Sequence, residues 1–156
     1  MFGFKNEKFV QVIHLAHGAS AANDGLSPSN PKPLADGDLM AIPAGVIIEK
    51  VYLIVDEAIT GTTNLDVGDD DDADGFVDGS LSVTLGTPGV YGWDVKNAGA
   101  YLRIQTAGAT DAADIYVVPN AKAYLASGKE LKLDITTAST AGKARVVVEG
   151  FVLPTA

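Results

Sequence analysis

Hydrophobic and polar positions alternate with a period of two along most of this chain, and that period predicts strands. Leu131, Leu133 and Ile135 alternate with Lys132, Asp134 and Thr136. Leu81, Val83 and Leu85 alternate with Ser80, Ser82 and Thr84. Leu102 and Ile104 point one way from Tyr101 to Thr106, against Arg103 and Gln105. Phe9 to Leu15 is a β-branched run that stops before Gly18, Thr63 to Val67 is short, and Ile115 to Val118 ends at Pro119, which has no N–H to give a ladder. Two stretches, Val46 to Val55 and Ala144 to Leu153, are apolar on both faces, as central strands are.

About eight strands punctuated by Gly, Pro, Asn and Asp predict an all-β fold, an antiparallel β-sandwich or jelly roll. Tyr91 to Ala100 and Ala121 to Ser127 are each expected to hold at most one turn of helix. One segment has no period: Gly18 to Gly45 carries four prolines and four glycines. A connection this long inside a domain is commonly functional. It reads either as a surface loop or as an extended arm lying on a neighbouring subunit, with Leu26, Leu34, Leu39, Met40 and Ile42 as its apolar contacts. The chain otherwise reads as one domain, residues 1–156.

Charge adds a second feature. Asp56 to Asp78 holds nine acids and no Lys or Arg, and the acids and bases of the remaining chain cancel, so the whole net charge of −9 belongs to this stretch. A chain this acidic is a poor match to nucleic acid, which needs clustered Lys and Arg. Lys122, Lys129, Lys132, Lys143 and Arg145, interrupted by Glu130 and Asp134, read as a salted surface. With no cysteine, disulfides and thiolate metal sites are excluded. No run approaches the roughly 20 apolar residues that span a bilayer. The first residues lack a secretory signal, so synthesis in the cytoplasm without export is expected.

Candidate chemistry is sparse. Asp70, Asp72 and Asp74 followed by Gly75 match the D-x-D-x-D-G start of a calcium loop, with the Phe76 carbonyl seventh and Asp78 ninth. Leu81 stands twelfth where such loops place a bidentate Glu, so any calcium bound would be weakly held; the same residues also read as a solvated Asp/Gly turn. His14 and His17 have no third ligand at a sensible spacing. There is no Gly-x-Ser-x-Gly elbow. Glu49, Asp56 and Glu57 lie on or beside a strand, and nothing selects them as a catalytic pair. No enzyme activity is expected. Trp93, which ends the stretch Gly89-Val90-Tyr91-Gly92-Trp93, reads as a core plug, a subunit contact or a ligand-stacking ring.

Ile42-Pro43-Ala44-Gly45-Val46-Ile47-Ile48-Glu49-Lys50-Val51 is a proline turn launching a strand, with Pro43 at i+1 and Gly45 at i+3. It is followed by Glu57-Ala58-Ile59-Thr60-Gly61-Thr62-Thr63-Asn64-Leu65-Asp66-Val67-Gly68-Asp69 and then Asp74-Gly75-Phe76. Over roughly residues 40–90 this order resembles the capsid decoration proteins of tailed bacteriophages, also called head auxiliary or cement proteins. The dense Asp run departs from that resemblance. The resemblance implies a jelly-roll body and a structural, non-enzymatic role. It also implies a homotrimer on the outside of the virion's head, bound to the major capsid protein, with Leu26, Leu34, Leu39, Met40 and Trp93 as candidate contacts. The alternative is a calcium-dependent β-sandwich module for carbohydrate or host-surface attachment, using the acidic loop and Trp93.

Overall fold

A computed structural model describes residues 7–62, 64–80, 85–92, 99–102, 104–105, 115–116 and 121–153. These form strands and turns, with no helix among the described residues. The strands are β1 (Glu7–Ala16), β2 (Lys32–Pro33), β3 (Gly37–Ile42), β4 (Val46–Thr60), β5 (Leu65–Gly68), β6 (Gly89–Tyr91), β7 (Ile104–Gln105), β8 (Ile115–Tyr116), β9 (Lys122–Tyr124), β10 (Lys129–Ile135) and β11 (Ala141–Val152).

The larger sheet runs β2-β1-β11-β4-β6, with β9 also beside β4, and the smaller runs β3-β10-β5. β7 and β8 pair as a separate ribbon. Every pairing is antiparallel except the short one between β1 and β2. The two stretches that are apolar on both faces became β4 and β11, each with partners on both sides. Inward residues of the larger sheet (Ile13, Leu15, Leu53, Val146, Val148) and of the smaller (Leu39, Leu65, Leu131, Leu133) belong to one buried cluster. One core fed by two sheets is consistent with the β-sandwich expected from the alternation.

Strand β4 shifts register against β11 at three places, and the shift nearest its start changes which of its residues face the core. Val46 and Ile48 are buried at even positions, whereas Val51, Leu53 and Val55 are buried at odd ones. Opposite them, Glu149 pairs with Lys50 but Gly150 pairs with Ile48, so Glu49 is an extra residue. A bulge of this kind moves the apolar set back to the core face. Its geometry demands Gly150, because a Cβ there would sit 1.9 Å from the Ile47 carbonyl oxygen.

Some elements differ from those the sequence predicts. Ala121 to Ser127 holds strand β9 and not a helical turn, since the edge of β4 at Val46–Ile48 offers it a ladder and Tyr124 a place in the core. Tyr91 ends β6, and residues 93–98 of the other expected turn, Trp93 included, lie outside the described residues. Residues 81–84 of the expected strand Ser80 to Leu85 also lie outside them, and Ser80 and Leu85 are in turns. Tyr101 and Leu102 are likewise in a turn, leaving Ile104–Gln105 as the strand. Among the described residues several strands are two or three residues long; Ile104–Gln105 and Ile115–Tyr116 fall within segments that the alternation reads as strands, and Lys32–Pro33 within one read as a loop or arm.

The segment from Gly18 to Gly45 is folded onto the body. Lys32–Pro33 pairs with β1, and Gly37–Ile42 pairs with β10. Leu34 and Leu39 are buried in the chain's own core, and Met40 packs against it half-buried. Asn23 and Asn30 fasten the intervening loop through the Pro31 carbonyl and Asp24. Of the apolar residues assigned to partner contact there, Leu26 is exposed.

Gly150→Ala is expected to lower the urea midpoint by the equivalent of about 1–3 kcal/mol, the usual cost of overpacking a close contact. Gly86→Ala, where a Cβ meets nothing within 4 Å, is expected to stay within about 0.5 kcal/mol of the parent. Equal midpoints for the two variants would remove the steric argument.

Candidate functional site

The acidic loop leaves β5 at Gly68 and returns at Phe76 and Val77, whose N–H groups both donate to the Val67 carbonyl. Phe76 is fully buried and anchors the loop to the core. Tyr101 packs its ring edge-on to Phe76 at 5.1 Å between centroids, and Tyr124 lies tilted at 6.5 Å. Gly75 permits that packing, since a Cβ would fall 2.4 Å from the Tyr101 ring. Lys122 stands over the outer face of the Tyr101 ring at 4.0 Å.

The carboxylates divide into buried and exposed groups. Asp69 is 2% exposed and accepts hydrogen bonds from the Tyr101 and Tyr124 hydroxyls and from the N–H groups of Asp71 and Asp72. Burial alone would raise its pKa, but the four donors together outweigh burial and hold it below the usual carboxylate value. The same charge pushes both tyrosine hydroxyls up, after desolvation as the larger cause. Asp69 is therefore an ionised structural strut that ties the loop to two tyrosines remote in sequence.

Asp66 behaves in the opposite way. It sits directly across β5–β10 from Asp134. It accepts from the Gly79 N–H and the Asn64 amide. Desolvation pushes its pKa up to about 6; the Gly79 bond opposes this, while Asp78, Asp74 and Asp134 add to it. Like charges facing each other across a ladder are unfavourable, and a proton on Asp66 relieves the conflict.

The residues of the calcium-like spacing are engaged separately. Asp70 pairs with Lys132 at 2.6 Å and accepts from the Glu130 N–H. Its neighbour Asp71 pairs with Lys129. Asp78 is buried and accepts from the N–H and hydroxyl of Ser80. Asp72 and Asp74 are half-buried. Among the described residues, no group of three His, Asp or Glu converges as a metal site would require. The spacing matches a calcium loop, but Asp70 turns to Lys132 and the Glu130 N–H, and Asp78 to Ser80.

The remaining candidates disperse as well. Asp56 forms a two-pronged pair with Arg145, and Glu57 pairs with Lys143 at 2.7 Å. These pairs border a groove of about 380 Å³ that His14, Pro28 and Pro31 also line. Glu49 occupies the bulge, beside a second groove with Lys8, Lys50 and Glu149. His17 gives its backbone N–H to Gly142. Sequence reasoning missed the roles of Tyr101, Tyr124 and Lys122, because nothing in a linear pattern tells which of several tyrosines will meet a buried Asp. The interleaved Lys129 and Lys132 were visible, but they stand three apart on β10 and have opposite parity, so alternation gave no signal that both would reach the loop.

Lowering pH from neutrality through about 6 is expected to stabilise the fold. The folded state binds a proton at Asp66 more tightly than the unfolded chain, and this gain grows until pH falls below the unfolded value of 3.8. Asp69, with its depressed pKa, works the other way: its contribution is present above the unfolded value and is lost as pH drops below it. Urea midpoints measured against pH should show the rise in the parent and not in Asp66→Asn; a rise that survives the substitution would assign it elsewhere. Thermal midpoints in chelator and in calcium are expected to coincide, and a calcium-dependent increase would show that the loop rearranges to bind the ion.

No protein-family model and no curated protein matches this chain. Among solved structures, it is similar to a chain described as the cyanophage Pam1 capsid asymmetric unit. The TM-score is 0.55 at 16% identity, over 99% of this chain and 90% of that one. At that identity the likeness is one of fold, and it extends along nearly the whole chain.

Proposed function

We propose that this chain is a structural protein of a phage virion. In the finer reading it is a decoration, or cement, subunit that binds the major capsid protein on the outside of the head and stabilises the shell. The observation that carries this reading is the likeness in fold, along nearly the whole chain, to a chain of a cyanophage capsid unit. The resemblance of residues 40–90 to decoration proteins points the same way and adds the homotrimer.

The physical features agree with an architectural role. Carboxylates that attract attention in the sequence are spent on holding loops, as Asp69, Asp70 and Asp71 are. A shell carries many copies, so a small contact per copy multiplies into durable attachment. In this reading the acidic loop faces solvent and the near-neutral remainder of the surface meets the shell.

The test is to mix the purified chain with heads of the encoding phage that lack it. Co-sedimentation at a fixed ratio to capsid protein, with genome release moved to higher temperature, is expected. Failure to bind heads, together with absence from purified virions, would overturn the proposal. Carbodiimide cross-links from Asp70–Asp74 to capsid lysines would overturn the orientation alone.

A further inference from the structure

Strand β1 is paired on one side only along most of its length. Its inner side forms a ladder with β11 from Glu7 to Ala16 without a register shift. On its other side, Leu15 and Ala16 pair with β2, and the His14 N–H donates to the Gly25 carbonyl at 2.7 Å. The Leu34 N–H likewise donates to the Ala16 carbonyl. The N–H and C=O of a strand residue point to one side, and successive residues alternate. His14 and Ala16 therefore mark the even residues as the ones facing out. Lys8, Val10 and Val12 share that orientation, and among the described residues no backbone group pairs with theirs; the Val12 carbonyl accepts one long side-chain bond, from the Gln11 amide at 3.3 Å, which a strand N–H would replace.

Open edges of this length are normally blunted by proline, a bulge or inward charge. Between Glu7 and Ile13 the strand has no proline and no bulge, and one lysine near its start. Other edges are interrupted: β9 and β6 cover Val46–Ile48 and Leu53–Val55 on the far side of β4, and β3 carries an extra residue, Leu39, where its register against β10 shifts. The open edge is also apolar on both faces. Val10 is 48% exposed on the outer face, and Phe9 is half-buried against the core on the inner one.

We propose that β1 is the docking edge for a second copy of this chain, β1 against β1, antiparallel about a two-fold axis at Val10. The free stretch runs from Glu7 to Ile13, where the Gly25 carbonyl caps the next residue, and Val10 is its midpoint. In this register Val10 faces Val10 of the second copy, and Lys8 faces Val12. All six outward backbone groups of each copy are then paired. An axis at Gln11 or Val12 sets Lys8 or Val10 against His14, whose N–H is already committed to Gly25. Phe9 gains a cross-strand neighbour in Gln11, and no charged side chain meets one of its own sign. The two larger sheets join into one continuous sheet. The contact is separate from shell binding and leaves room for a three-fold association elsewhere on the surface.

The chain has no cysteine, so a single introduced thiol reports on this contact. Facing residues at a hydrogen-bonded antiparallel pair have Cα atoms about 5.5 Å apart, within disulfide range. Under mild oxidation, Val10→Cys is expected to give covalent dimers on a denaturing gel at least about tenfold faster than Leu125→Cys, because pairing raises the local thiol concentration. Leu125 is the suitable control, being 75% exposed and away from β1. Val10→Pro removes the outward N–H and spares the β11 ladder, and it should abolish association in sedimentation velocity while keeping the β-sheet circular dichroism. Should that variant fail to fold, Val12→Lys makes the same test by placing Lys across from Lys8. Equal cross-linking rates at positions 10 and 125 would overturn the proposal. So would a Val10→Pro chain that stays folded and loses head binding while Val10→Cys forms no dimer, which would give the edge to a strand of the shell protein instead.

Discussion

The antiparallel ladder between β4 and β11 is the constraint on which the rest of this structure depends. It joins Val46–Thr60 to Ala141–Val152 and carries β1 on one flank and β6 and β9 on the other. Because these two strands are buried on one face and half-covered on the other, their register decides which residues reach the core. A one-residue slip would expel Val51, Leu53 and Val55 together. The bulge at Glu49 and the missing side chain at Gly150 allow a ladder this long to bend while both of its ends stay apolar inward.

Much of that ladder was legible in the sequence. Runs apolar on both faces predicted β4 and β11 as central strands, and alternation placed Leu131, Leu133 and Ile135 on the inner face of β10. What the sequence hid was pairing that depends on an available edge. Lys122–Tyr124 has no strand signature and is a strand because β4 offers an unfilled ladder beside Val46–Ile48. Lys32–Pro33 is similar, since a proline-rich stretch reads as a loop until β1 takes it as a neighbour. Leu34 and Leu39 were visible as apolar residues in a segment without period, and only the tertiary arrangement decides that they serve the chain's own core.

The acidic loop was legible as a concentration of charge and illegible as a distribution of roles. Spacing alone groups Asp70, Asp72 and Asp74 as ligands of one ion, because it carries no information about where the counterions are. In three dimensions β10 brings Lys129 and Lys132 to Asp71 and Asp70, and two tyrosines close on Asp69. Two aspartates three residues apart, Asp66 and Asp69, consequently shift in opposite directions. Asp69 is well supplied with donors, and Asp66 has fewer donors and several anionic neighbours.

The bond between Asp69 and Tyr124 spans 55 residues of chain. On a ribosome that adds residues one at a time, the loop is completed long before the hydroxyl that fixes its central carboxylate exists. Until β9 has been made and has docked, Asp69 lacks one of its four donors, and Phe76 lacks one of the rings that flank it. The full set of bonds on the most highly charged stretch is thus complete only once the C-terminal third of the polypeptide has docked.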